Sequence, residues 1–437
     1  MSPWNERFDT LDNDDYIYSR ARVVPSPCRG LEKLPPEMAV ATLKIALKEL
    51  YIPSQNSISI MKELISIAAS FSRDKFPTSK EFLKELYSPG DDPVFPHCLT
   101  GPAGVGKTQL IKALRRVMPE PTVIDPGDGH SNFNMEAMWI AKTKKLVPML
   151  RSFLPNDTGR SNVDDLVVAC RRVARRDGIS LIVIDELQAF SASTSASSSV
   201  TSAILEFCNI GVPLVYACNY SLCHKFLRRN DHDRHRLLGS PLVLLPDERG
   251  SHGWREFVDE SCKASGGAIS LASDDSVIRL YNYSAGLKRL AVELMCIGYR
   301  IAREGGSRKA DLTHFQQAYL TPNFMAFRKD VEILMRQEAE GRSIREDLWC
   351  PFELPPTKQQ AVTEKWKTMR TEKLAVAALD ASLTPTERAS LKAVRSHIEP
   401  MSTQPKLPEI KKSGPKTVES LIANAMKRRE LIDGEKK

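Results

Sequence analysis

Gly101-Pro102-Ala103-Gly104-Val105-Gly106-Lys107-Thr108 decides how the rest of this chain is read. The apolar stretch His97-Cys98-Leu99-Thr100 runs into it, and a helical pattern with Leu110, Ile111 and Leu114 on one face leaves it. Strand, glycine-rich loop and helix in that order make a phosphate-binding loop. The glycines let successive backbone N–H groups converge on phosphate oxygens, and the helix N-terminus adds a favourable dipole. Gly101, Pro102, Ala103, Gly104, Val105 and Gly106 then form the cradle, with Gln109 beside it. Lys107 reaches the β- and γ-phosphates, and the Thr108 hydroxyl takes a Mg²⁺ position. ATP and Mg²⁺ are the implied ligands.

Downstream, Leu181-Ile182-Val183-Ile184-Asp185-Glu186 is an apolar run ending in two carboxylates. Four apolar residues in succession suit a central parallel strand covered on both faces. Ligands of open α/β sheets sit at the carboxyl ends of the strands. Asp185 is therefore expected to hold Mg²⁺, and Glu186 to polarise the attacking water. Val212–Asn219 repeats the pattern, an apolar strand with a polar Asn219 at its end that can orient the water.

Candidate strands are Val94–Thr100, Thr122–Asp125, Ser180–Asp185, Val212–Cys218 and Pro241–Leu245. Pro96 lacks a ladder donor, which moves the start of the first to His97. Helical patterns fall between them at Lys107–Val117, Asn134–Phe153, Val163–Arg176, Thr201–Asn209 and Ser221–Arg229. The fold class is α/β: a five-stranded parallel sheet with helices on both faces. The expected domains are an N-terminal helical segment at 1–90, an α/β ATPase core at 91–250, a small helical lid at 251–330 and a helical or linker tail at 331–437. The N-terminal segment begins as a polar, proline-punctuated arm to about Pro36. The tail is rich in Ser, Pro and Lys and holds one amphipathic helical stretch, Val418–Ile432.

The 437 residues carry a formal net charge of +8, which permits contact with a polyanion without requiring it. Nothing at the start resembles a secretory h-region, and the apolar stretches are too short to span a bilayer. No membrane partner is expected. The nine cysteines lack paired spacing, as in a reducing cytoplasm. Cys218, Cys223, His224, His232 and His235 cluster in sequence but match no common zinc-ligand spacing, and read as buried thiols and solvated histidines.

The ordered set of phosphate loop, Asp185-Glu186, Asn219, an arginine-rich segment and a helical lid resembles the AAA+ ATPases. More narrowly, Val183–Gln188, Tyr216–Leu222, Arg234–Leu238 and Gly286–Leu290 resemble the TnsC/TniB group of DNA transposition regulators, over roughly residues 90–320. The resemblance implies a sensor-2 role for Arg289 near the γ-phosphate. It also implies an arginine finger, given to the neighbouring subunit's ATP, from among Arg228, Arg229, Arg234 and Arg236, with Arg236 and then Arg234 preferred. It further implies a homo-oligomer, a ring or helical filament on double-stranded DNA, that links a target-selector protein to a transposase. Lys142, Lys144 and Lys145 are the candidate DNA contacts, on phosphates. The tail would engage the transposase and residues 1–90 the selector. Two other readings share the ATP site: a AAA+ loader or initiator of replication, and a nucleotide switch acting only through protein partners.

Overall fold

The computed structural model describes residues 2–90, 92–124, 133–141, 145–154, 162–187, 196–271 and 273–354. The chain divides into two units, Met1–Glu353 and Leu354–Lys437. Only Leu354 of the second is described, so the amphipathic stretch Val418–Ile432 lies outside the described residues.

Among the described residues of the first unit seven strands form: β1 (His97–Gly101), β2 (Thr122–Ile124), β3 (Phe133–Met135), β4 (Met138–Ile140), β5 (Leu181–Ile184), β6 (Leu214–Asn219) and β7 (Pro241–Val243). Five of them make one sheet in the order β4-β5-β6-β1-β7, with every neighbouring pair parallel. The strand alternation assigns side chains to opposite faces. Leu181 and Val183 enter one core with Leu99, Val215 and Leu242, whereas Ile182 and Ile184 enter the other with Cys98, Leu214 and Tyr216. Both faces of the Leu181–Ile184 run are thus buried, as its unbroken apolarity requires.

One strand differs from expectation. Thr122–Ile124 does not join the sheet; it pairs antiparallel with β3 in a separate two-stranded ribbon. The edge place is taken by Met138–Ile140, inside the stretch expected to be one helix over Asn134–Phe153. Of the described residues of that stretch, only Leu146–Phe153 are helical. Met138 and Ala137 are good helix formers, but pairing with β5 buries both, and tertiary context overrides the local preference.

The N-terminal segment is more deeply incorporated than its polarity suggests. Trp4, Phe8, Leu11 and Ile17 are buried anchors spaced through the polar arm. Trp4 stacks on Phe82, while Phe8, Leu11 and Ile17 pack with helices Gln55–Lys75 and Lys107–Val117 against the sheet. Helix Pro36–Glu49 instead joins the lid, whose core comes from helices His252–Ala264, Asp274–Ser284, Lys288–Glu304 and Leu312–Leu320. The unit continues past the lid through helix Met325–Glu340, and Arg228 pairs with Glu346 at 2.6 Å. No helix among the described residues is long and apolar enough to cross a membrane.

Candidate nucleotide site

β1 ends at Gly101, and the next helix starts at Lys107, so the loop between them is held at both ends. Gly104 and Gly106 have φ of +85° and +111°, backbone conformations that L side chains rarely adopt. Lys107 is only 9% exposed, and its ammonium donates to the carbonyls of Gly101 (2.8 Å) and Pro102 (3.1 Å). Burial pulls its pKa down to about 8, against the opposing pull of Cys218, Asp185 and the neighbouring thiols. A desolvated ammonium inside a glycine loop is a fit for phosphate, which would restore the solvation the lysine has lost. Thr108 is exposed on the first helical turn, and Gln109 is half-buried, reaching the Lys48 carbonyl at 3.4 Å.

The strand order brings the other groups to the same carboxyl end of the sheet. Gly101 is in register with Asn219, and Ile184 with Tyr216. β6 therefore lies between the loop strand and the acid strand, and two strand spacings put Asp185 roughly 10 Å from β1. That gap suits a phosphate–cation pair held between the two. Glu186 has φ +56°, in the left-handed region, and its N–H binds its own neighbour's carboxylate, Asp185 Oδ1, at 2.8 Å. A non-glycine residue held there costs about 1–3 kcal/mol, and such strain concentrates where a side chain must be aimed. Asn219 precedes helix Tyr220–Leu227 but makes no side-chain cap bond to it, so the plain role of a capping residue does not account for it.

The lid delivers Arg289 to the loop. A Cβ built on Gly104 would meet Arg289 Cδ at 3.3 Å and its Cβ at 3.6 Å. The preceding residue anchors this placement. Lys288 pairs with the buried Asp247 at 3.1 Å and donates to the Ile52 carbonyl at 2.7 Å. Asp247 N–H in turn donates to Gly286 at 3.2 Å. Asn56 completes the joint, donating to Val243 and accepting from Leu245. Ile52, Asn56, Asp247 and Lys288 were not singled out in the sequence. Asp247 follows a strand and Lys288 adjoins Arg289, but their pairing spans 41 residues and has no local signal.

The arginine candidates separate by their partners. Arg228 pairs with Glu346, Arg229 with Asp233 at 3.0 Å and Arg234 with Asp231 at 2.9 Å. Among the described residues Arg236 has no carboxylate partner. It lines a cleft of about 480 Å³ with Pro93, Val94, Phe95, His232 and His235, and Phe95 is 70% exposed. Of the basic run only Lys145 is described: it is exposed and stands at the N-cap of helix Leu146–Phe153, just outside the helix expected to hold it. Lys142 and Lys144 lie outside the described residues. The sequence cluster of cysteines and histidines also divides. Cys218 and Cys223 are buried, while His232 and His235 are exposed and His224 meets the Trp349 carbonyl.

A family model described as an AAA domain matches residues 97–226, which hold the loop, the acid pair and Asn219. A search of curated proteins finds no match. Among solved structures, Cdc6p from Pyrobaculum aerophilum is 14% identical, over 55% of this chain and 64% of that one, at a TM-score of 0.35. The ADP form of the Aeropyrum pernix ORC2 protein is 13% identical over 62% and 75%, at 0.37. The Thermotoga maritima RuvB Holliday junction branch migration motor is 14% identical over 66% and 82%, at 0.32. This chain thus spans less than two thirds of the Cdc6p chain.

Proposed function

We propose that this chain, whose fold is that of a AAA+ P-loop NTPase, binds ATP·Mg²⁺ and hydrolyses it in an oligomer whose neighbouring subunits complete one another's sites. The observation that carries this reading is the convergence, at the carboxyl ends of the central strands, of the glycine loop, the strained Asp185-Glu186 pair and the lid's Arg289.

In this reading Lys107 leaves the Gly101 and Pro102 carbonyls for the phosphates, and the Gly104–Gly106 backbone supplies N–H donors. Thr108 and Asp185 would hold Mg²⁺, which when bound neutralises phosphate charge. Glu186 accepts the proton of the attacking water, and Asn219 orients that water. Arg289 stabilises the charge on the transferred group from the same chain. Arg236, unpaired within its own chain among the described residues and set beside an exposed Phe95, does so from the neighbour.

The finer part of the proposal is that the ATP cycle regulates DNA transposition, with the oligomer assembled on double-stranded DNA between a target-selector protein and a transposase. The TnsC/TniB-like stretches and the charge of +8 support it. None of the nine cysteines is joined in a disulfide, in keeping with a cytoplasmic location. Phosphate release by the wild type, with E186Q retaining nucleotide but losing hydrolysis, tests the enzymatic part. No phosphate release from a nucleotide-loaded wild type, with and without DNA, would leave a binding switch instead.

A further inference from the structure

Behind the phosphate loop three cysteines from distant parts of the chain meet. Cys98 Sγ lies 3.6 Å from Cys218 Sγ and 3.8 Å from Cys223 Sγ, and Cys218 and Cys223 are 3.5 Å apart. All three are fully buried, and Thr100 Oγ1 lies 3.2 Å from Cys223 Sγ. The fold dictates the meeting. Cys98 and Thr100 share one face of β1, Cys218 stands in register with Thr100 on β6, and helix Tyr220–Leu227 lays Cys223 over that face.

We propose that Cys98, Cys218 and Cys223 form a three-thiolate site for a thiophilic divalent cation, zinc being the physiological candidate. A tetrahedral centre with metal–sulfur bonds of about 2.3 Å has sulfur–sulfur edges of about 3.8 Å. The observed triangle, with sides of 3.5, 3.6 and 3.8 Å, is already one face of such a tetrahedron to within a few tenths of an ångström. The thiols need no rotamer change to present all three sulfurs to one ion. The Thr100 hydroxyl is an oxygen donor in reach for the fourth position. Thiolate donors select soft or borderline cations such as zinc over Mg²⁺, so the site does not compete for the nucleotide's metal.

Binding is balanced by proton release: up to three thiol protons leave, three metal–sulfur bonds form, and a dication with three thiolates carries one net negative charge. That charge sits within electrostatic reach of the Lys107 ammonium. The ion would also staple the strand ending in Gly101 to the strand ending in Asn219, the two strands that flank the γ-phosphate position. The proposed role is therefore to fix the floor of the nucleotide site. Because all three sulfurs are buried, the ion is acquired during folding and exchanges slowly.

The test is the metal content and coordination of the full-length protein purified from zinc-supplemented cells without chelator. About one zinc per chain is expected, with X-ray absorption showing three sulfur neighbours near 2.3 Å. C98S, C218S and C223S are each expected to lower the retained zinc at least tenfold, whereas C28S, altered at a half-buried thiol elsewhere, keeps it. If a serine variant fails to fold, the wild-type absorption spectrum still decides. Zinc below a tenth of an equivalent, a shell dominated by nitrogen or oxygen, or full retention in folded C98S, C218S and C223S would each overturn the site.

Discussion

The side chain of Arg289 lies across Gly104: the lid residue's Cδ occupies the space immediately beyond the glycine's missing Cβ, at 3.3 Å from where that atom would stand. Loop and lid are therefore in close contact at this position, where an added Cβ would have to push the Arg289 chain back by a few tenths of an ångström. A Cβ at Gly104 would press on Arg289 and also be strained by φ +85°. G104A is expected to weaken ATP binding about tenfold or more, by displacing the loop and Arg289 together. R289A should leave nucleotide affinity within a few fold and lower hydrolysis by about 10- to 100-fold, read as a fall in kcat in steady-state phosphate release. Equal loss of affinity in both would mean that Arg289 is a packing residue.

Lys107 sets the pH response of binding. Burial lowers its pKa from 10.5 to about 8 in the protein free of nucleotide and of metal, so its proton is lost as pH rises through that value. Phosphate favours the ammonium, so above about pH 8 binding must take up a proton. Affinity is then expected to be flat from pH 6.5 to 7.5 and to fall above pH 8, by up to about tenfold per pH unit. Isothermal titration in buffers of differing ionisation heat measures both the affinity and the proton uptake. K107R, always charged, should abolish the fall even where it weakens binding.

Arg236 is expected to act in trans. R236A should lower hydrolysis by about 10³-fold while leaving nucleotide binding unchanged, whereas R234A, removing an arginine already paired with Asp231, should cost less than about tenfold. Mixing R236A with K107A distinguishes a finger from a structural arginine. K107A subunits have a spoiled loop but an intact Arg236, so the mixture should recover measurable hydrolysis that neither variant shows alone. No recovery over a range of mixing ratios would count against the shared site.

The lid offers a stability test remote from the chemistry. In helix Lys288–Glu304, a Cβ at Gly298 would fall 2.3 Å from Phe315 Cδ1, inside the ring of the facing helix Leu312–Leu320. G298A improves helix propensity but overpacks this contact, and the net cost is expected to be about 1–3 kcal/mol. Thermal melting should show a drop of several degrees. A raised melting temperature would mean that the two helices separate more easily than their packing implies.

The local signals are legible in the sequence and the long-range ones are not. Gly101–Thr108 and Leu181–Glu186 carry their meaning in a few consecutive residues, because a phosphate cradle and a doubly covered strand each impose a short pattern. Helices Lys107–Val117 and Val163–Arg176 have the boundaries expected from periodicity. Met138–Ile140 carries no strand signal of its own, because its three residues become a strand only by pairing with β5. The Trp4–Ile17 arm looks polar in sequence because its anchors are outnumbered by polar and charged neighbours, although each is buried in the folded chain. Cys98 could not be joined to Cys218 and Cys223 from spacing, since the sheet register alone brings residues 120 positions apart into contact. The Lys288–Asp247 joint has the same origin.

The most direct test of nucleotide-gated assembly on DNA is electron microscopy of the full-length protein with duplex DNA, with and without a slowly hydrolysed ATP analogue. Rings or helical filaments are expected only when both ligands are present, and K107A should lose them. Particles that remain monomeric in every condition, or assemblies indifferent to nucleotide and to DNA, would contradict the account.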